Sequence, residues 1–189
     1  AIVMGSNYNC GQSCSGTERV IATEAVYEDL VTAVGQRTET LTVGDPRDDE
    51  TDIGPPINDD IRETMREQIT QAVEGGARVI TGGSIGDRYI EPTVLADVTP
   101  DMRAATEETF GPLTPIIPVS DREEALKVAN DNRYGLQAAV FTESIQHAHQ
   151  VIDRLQSGGI VVNGTNNFWE HQLPFGGLKE SGSGGEYKG

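Results

Sequence analysis

The chain has 189 residues, thirty acidic side chains against fourteen basic ones and a formal net charge of −16; its only lysines are Lys127, Lys179 and Lys188. That length suits one well-buried domain, and the charge leaves no basic patch to neutralise phosphates, which argues against a nucleic-acid partner. So acidic a surface repels itself in dilute buffer, a device of salt-adapted proteins, and predicts a halophilic cytoplasm; with no apolar run of about 18 residues and no signal-peptide pattern at the start, a soluble cytoplasmic protein without a membrane partner is expected.

In chain order, the first feature is the stretch NCGQSCSGTER, residues 9–19, which holds both cysteines, Cys10 and Cys14. Two cysteines build no disulfide framework, and a lone C-x3-C far from His147, His149 and His171 lacks zinc spacing. His147 and His149, two positions apart on a helix, point to opposite sides, so no metal site is expected. Either cysteine, by residue chemistry alone, is a small buried hydrophobe or a nucleophile, and spacing does not decide between them.

RVIAT (19–23) reads as a strand, and Val26, Leu30 and Val34 recur at helical spacing behind it. The polar, proline-rich GDPRDDETDIGPPIN (44–58) reads as a long surface loop. Ile61, Met65, Ile69 and Val73 restart a helix that Gly75 and Gly76 stop. RVIT (78–81) and PTVLADV (92–98) are strand candidates, and PLTPIIPV (112–119) is another whose prolines predict an edge or irregular position. A helix over 125–129, a buried strand AAVFT (138–142), a helix striped by Ile145, Ala148, Val151, Ile152 and Leu155, and the strand GIVVN (159–163) complete the series. Strands alternating with helices imply an α/β fold: an open, mostly parallel twisted sheet with helices on both faces.

Residues 164–189 have no period, are rich in glycine and carry the sole tryptophan. In open α/β sheets the ligand crevice lies beyond the carboxyl ends of strands, and this segment leaves such an end at Asn163, which makes it a candidate pocket wall.

Four motifs and a loop in one order carry a family resemblance. NCGQSC resembles the N-x-G-Q-x-C signature of the aldehyde dehydrogenase superfamily; EETFGP (107–112), NRYGLQAAVFT (132–142) and VNGTNNFWEHQLPFGG (162–177) with KESGSGGE (179–186) resemble its later motifs, and IGPPIN (53–58) its G-P-x-I loop. The resemblance implies that residues 1–189 are the catalytic domain, with Cys14 as nucleophile and Cys10 at a variable place in the signature. It places Glu108 and Phe110 at the nicotinamide ribose and ring, and Trp169 and Phe175 along the aldehyde tunnel. Asn163 and the PFGG turn would shape the pocket floor beneath the thiol.

The implied reaction is oxidation of an aldehyde to a carboxylic acid through a Cys14 thiohemiacetal and thioester, with hydride passed to NAD or NADP. The family's general-base glutamate, oxyanion asparagine and nucleotide-binding domain lie upstream of the signature and its oligomerisation strand beyond position 189, so the chain is expected to be a fragment, inactive alone and prone to self-association, of a homodimeric or homotetrameric parent. No G-x-G-x-x-G occurs to grip a pyrophosphate. Asn7 stands where the family usually has phenylalanine, and Gly185 where it has arginine. Lys179 is the one lysine near the pocket loop, which favours a neutral aldehyde over a phosphorylated one. Two other readings stay open: a non-catalytic α/β scaffold or interaction module, and a Cys-His thiol hydrolase using Cys14 and His171.

Overall fold

The computed structural model describes residues 1–167 and 172–182. Among these residues the α-helices and strands are, in chain order, α1 (Ile2–Asn7), β1 (Val20–Thr23), α2 (Glu24–Glu39), α3 (Asp59–Glu74), β2 (Arg78–Thr81), β3 (Thr93–Ala96), α4 (Arg103–Thr106), β4 (Leu113–Val119), α5 (Arg122–Asn130), β5 (Tyr134–Gly135), β6 (Gln137–Val140), α6 (Ile145–Arg154), β7 (Gly159–Val162) and β8 (Leu178–Lys179). The main sheet has the order β1-β4-β3-β2, in which β1, β4 and β3 run parallel and β2 is antiparallel.

Side chains alternate across this sheet with a period of two and build a core on each face. On one face Leu95, Leu113, Ile117 and Val119 meet Ile61, Met65 and Ile69 of α3, Ala104 and Ala105 of α4, and Val128 of α5. On the other, Val20, Ala22, Val94, Ala96 and Ile116 meet Tyr27, Val31 and Val34 of α2, with Ile2 and Val3 of α1 against them. This is the α/β sheet with helices on both faces that the alternation of elements predicts.

The helix α3 begins where Asn58 accepts a hydrogen bond from the Ile61 N–H at 3.3 Å. Asp59 and Asp60 then place negative charge in its first turn, which complements the positive end of the helix dipole. It ends in a Schellman turn, with Ala77 N–H donating to Ala72 C=O at 2.9 Å and Gly76 N–H to Val73 C=O at 3.0 Å. Gly76 takes a φ of +103°, which explains the stop at the glycine pair.

Four expectations are corrected. The proline-bearing PLTPIIPV is a central strand, between β1 and β3, although Pro115 and Pro118 each withdraw a ladder donor. Losing a hydrogen bond costs about 0.5–1.5 kcal/mol net, whereas burying each of Leu113, Ile116 and Ile117, at 0–1 % exposure, contributes about 1.5–3 kcal/mol. Burial therefore decides the position. In the stripe of α2, Val34 is buried and Leu30 packs against the core as expected, but Val26 is exposed while Tyr27 and Val31 are inside, because the Tyr27 hydroxyl reaches Asp97 beyond the end of β3 at 2.9 Å. On α3 the buried row closes with Ala72, leaving Val73 exposed. Finally, β6 is partly rather than fully buried and forms a separate two-stranded parallel sheet with β7 instead of extending the main one.

The reason for the last correction is a groove. Among the described residues β1 pairs with β4 alone and β6 with β7 alone. Both strands line one open groove of about 1590 Å³. Met4, Tyr8, Val26 and Phe141, each more than half exposed, line the same space.

Candidate active site

Residues 8–11 form a tight turn following α1 in which Asn9, Cys10 and Gly11 take successive positive φ angles of 54°, 59° and 74°. Left-handed backbone at two non-glycine residues is uphill and persists only where neighbours fix it. Here they do. Asn9 Nδ2 donates to the Gln12 carbonyl at 3.1 Å and Gln12 Nε2 returns a bond to the Asn9 carbonyl at 2.8 Å. Gln12 Oε1 accepts from Ile57 N–H at 2.9 Å, which ties the cysteine turn to the IGPPIN loop.

The C-terminal loop closes from the other side. Asn167 accepts from Ser15 Oγ at 3.1 Å and donates to the Gly5 carbonyl at 3.1 Å. Asn166 accepts from Thr17 Oγ1 at 2.6 Å and donates to the Ser15 carbonyl at 2.7 Å. The EETFGP loop packs backbone to backbone on the turn, since a Cβ built on Gly11 would stand 2.1 Å from the Gly111 carbonyl oxygen. Segments scattered from residue 5 to residue 167 thus converge around Cys14.

The two cysteines differ in kind. Cys14 is exposed on the wall of the groove. Cys10 is 3 % exposed, and burial pushes its thiol from an ordinary 9.0 up to about 11, so it stays protonated and inert near neutral pH. The sign follows: a thiol that ionises less readily folded than unfolded supports the fold at neutral pH and loses that support as pH rises from 9 towards 11. Stability should fall by about 2 kcal/mol over that window. A Cys10→Ala variant should show a flatter alkaline limb in urea titrations, and an unchanged limb would contradict the assignment.

Of the other residues singled out, Glu108 is exposed and lines the groove with Cys14. Phe110, two positions on, is partly buried with a φ of 54° and lies outside the groove lining, as does the partly buried Phe175. Trp169, His171 and Gly185 lie outside the described residues. Asn163 bonds both backbone groups of Thr142, at 2.9 Å each, and so ties the end of β7 to the end of β6. Asn7 is buried, with Nδ2 bonded to the Val3 carbonyl at 2.9 Å and to Ser6 Oγ at 3.1 Å, while its Oδ1 has no partner among the described residues.

Two cations near the site serve the scaffold. Arg19 donates to the carbonyls of Ala105, Val128 and Ala129 at the ends of α4 and α5. Lys179 Nζ donates to the Asn130 and Asn132 carbonyls at 2.7 and 2.9 Å. Both neutralise helix C-termini, which commits the lysine to the end of α5. Glu18, Gln12, Asn166 and Asn167 are the functional-looking residues that periodicity misses.

The fold is thus an open α/β sheet whose one exposed thiol among the described residues sits on a loop leading into the amino end of β1, held by converging loops on the groove wall. The chain belongs to the aldehyde dehydrogenase family, whose model matches residues 1–189. It is 38% identical to a betaine aldehyde dehydrogenase of Sinorhizobium fredii over 97% of this chain and 39% of that protein. It is 37% identical to the succinate-semialdehyde dehydrogenase [NADP(+)] of Deinococcus radiodurans over 98% of this chain and 39% of that one. The lactaldehyde dehydrogenase structure from Escherichia coli superposes with a TM-score of 0.93 at 35% identity, over 98% of this chain and 39% of that chain. The chain therefore spans about two fifths of the length of the relatives it matches.

Proposed function

We propose that the protein carrying this chain oxidises an aldehyde to a carboxylic acid with NAD or NADP, and that residues 1–189 supply its nucleophile-bearing catalytic domain. The observation that carries the reading is the contrast between the two thiols: Cys14 is exposed on a groove wall where the signature loops converge, and Cys10 is buried and protonated. The thiolate of Cys14 adds to the aldehyde carbonyl, forming a thiohemiacetal whose oxygen can take a hydrogen bond from the Cys14 backbone N–H. Loss of hydride from that carbon leaves a thioester on Cys14, and attack by water releases the acid and restores the thiol. When bound, the nicotinamide accepts the hydride.

The residues present fit one end of that cofactor. Glu108, on the groove wall, is proposed as the ligand of the ribose hydroxyls, and Phe110 of the same loop as the neighbour of the ring, on the resemblance of EETFGP to the family's motif. Arg19 and Lys179 are bound to carbonyls, and the pyrophosphate is assigned, on the family resemblance, to a nucleotide-binding part outside these residues. Trp169 and Phe175 are proposed as the aromatic walls for the aldehyde, and a neutral aldehyde suits the commitment of Lys179 to backbone carbonyls. The test is aldehyde-dependent formation of reduced nicotinamide by the full-length polypeptide, with carboxylic acid as product; absence of both across short neutral aldehydes would overturn the reading.

The isolated 189 residues are a different case. The apolar groove wall of Met4, Tyr8, Val26 and Phe141 is the kind of patch that is covered in a working protein. The isolated chain should therefore sediment as a dimer or larger species in dilute buffer and show no aldehyde turnover, while Cys14 still reacts with a thiol reagent. A monodisperse monomer would count against that account of the groove. For the full-length protein a homodimer or homotetramer in a salt-rich cytoplasm is proposed, on the strength of the family and the charge of −16.

A further inference from the structure

Glu18 is four residues beyond the thiol and makes an arrangement that no sequence period announces. One carboxylate oxygen accepts from the Thr109 N–H at 3.0 Å and the other from the Phe110 N–H at 3.2 Å, so a single side chain clamps two consecutive backbone donors of the EETFGP loop. The loop is braced again from α3, where Thr109 Oγ1 donates to Gln68 Oε1 at 2.7 Å. Between the braces stands Phe110 with a left-handed φ of 54°, a conformation an aromatic residue holds only when its surroundings over-determine it. Glu18 is partly buried, with Glu108 as a like-charged neighbour, and the net effect of burial over the two hydrogen bonds is a carboxyl raised above its ordinary range.

We propose that Glu18 is a positioning residue for cofactor binding: its forked hold on the Thr109 and Phe110 amides sets the backbone of the loop that carries Phe110 and presents Glu108 on the wall of the Cys14 groove. The inference rests on the reading of those two side chains as cofactor contacts. Its chemistry requires a carboxylate. A carboxamide of the same shape offers one acceptor and turns an N–H donor toward the second backbone N–H, so one arm of the fork becomes a clash of donors. The loop then relaxes at Phe110, and the contacts that suffer are those to ribose and ring, not those to the aldehyde.

The test is Glu18→Gln in the full-length polypeptide, with each KM, kcat and the alkylation rate of Cys14 measured separately. The KM for the cofactor should rise about tenfold or more, as expected for loss of a charge-assisted hydrogen bond, while the KM for aldehyde, kcat and Cys14 alkylation change less than about twofold. A variant with all four unchanged, or with both KM values raised alike, would overturn the positioning role while leaving the aldehyde-oxidising reading intact. A wild-type protein without aldehyde-dependent turnover would overturn both. Amide hydrogen exchange of the wild type gives a readout independent of the variant's folding: the Thr109 and Phe110 N–H groups should be protected, and exchange at the rate of an unbonded loop amide would overturn the clamp.

Discussion

Cys14→Ala should abolish aldehyde oxidation by the full-length polypeptide, lowering kcat/KM by about 10⁴-fold or more, the scale seen when a covalent nucleophile is removed. No neighbouring group can substitute. Cys10 is buried with its thiol pushed up to about 11, and the Ser15 hydroxyl is already bonded to Asn167. Cys14→Ser should fail almost as completely, because a serine hydroxyl ionises far less readily than a thiol near neutral pH and is a much weaker nucleophile. Stability should scarcely move, since replacing an exposed side chain costs within about 0.5 kcal/mol. Mass spectrometry of a single turnover gives the direct reading: an acyl adduct on the peptide bearing Cys14 in the wild type, and none in either variant. Turnover retained by Cys14→Ala, or an adduct on Cys10, would remove the thiol assignment and the mechanism with it.

Where the sequence was informative, the reason was local. The order of elements followed from periodicity and from glycine and proline signals, which act within a few residues: the Gly75–Gly76 stop is a property of one turn. The central place of β4 was not legible, because prolines are local while burial on two faces is set by strands and helices far along the chain. Part of the α2 stripe was misread for a similar cause, since the hydroxyl that turns Tyr27 inward bonds Asp97, seventy residues away. At the site, the family-like motifs pointed to Cys14, where residue chemistry and spacing left both cysteines open. They did not point to Glu18, Asn166 or Asn167, whose partners lie 91 to 162 residues distant in aperiodic loops. A long-range polar clamp leaves no period in either segment that it joins.

Gly11, which packs on the backbone of the EETFGP loop, should be the least replaceable residue of the cysteine turn. Gly11→Ala adds a methyl group 2.1 Å from the Gly111 carbonyl oxygen and 2.8 Å from Pro112 N, and does so at a φ of +74°. The left-handed backbone alone costs an alanine about 1–2 kcal/mol. Gly76→Ala isolates that cost, because its φ is +103° and nothing lies within 4 Å of the added Cβ. For Gly11 the contact is backbone on backbone, so no side chain can rotate away and the two loops must part, which brings the expected loss to about 3 kcal/mol or more. Urea titrations of the two variants separate the terms: the midpoint should fall markedly further for Gly11→Ala than for Gly76→Ala, and Cys14 alkylation should change in the first alone. Equal losses would mean that conformational strain accounts for both and that the loops yield without cost. A larger loss at Gly11, accompanied by altered Cys14 reactivity, would mean that the close approach of the EETFGP loop is what holds the nucleophile in place.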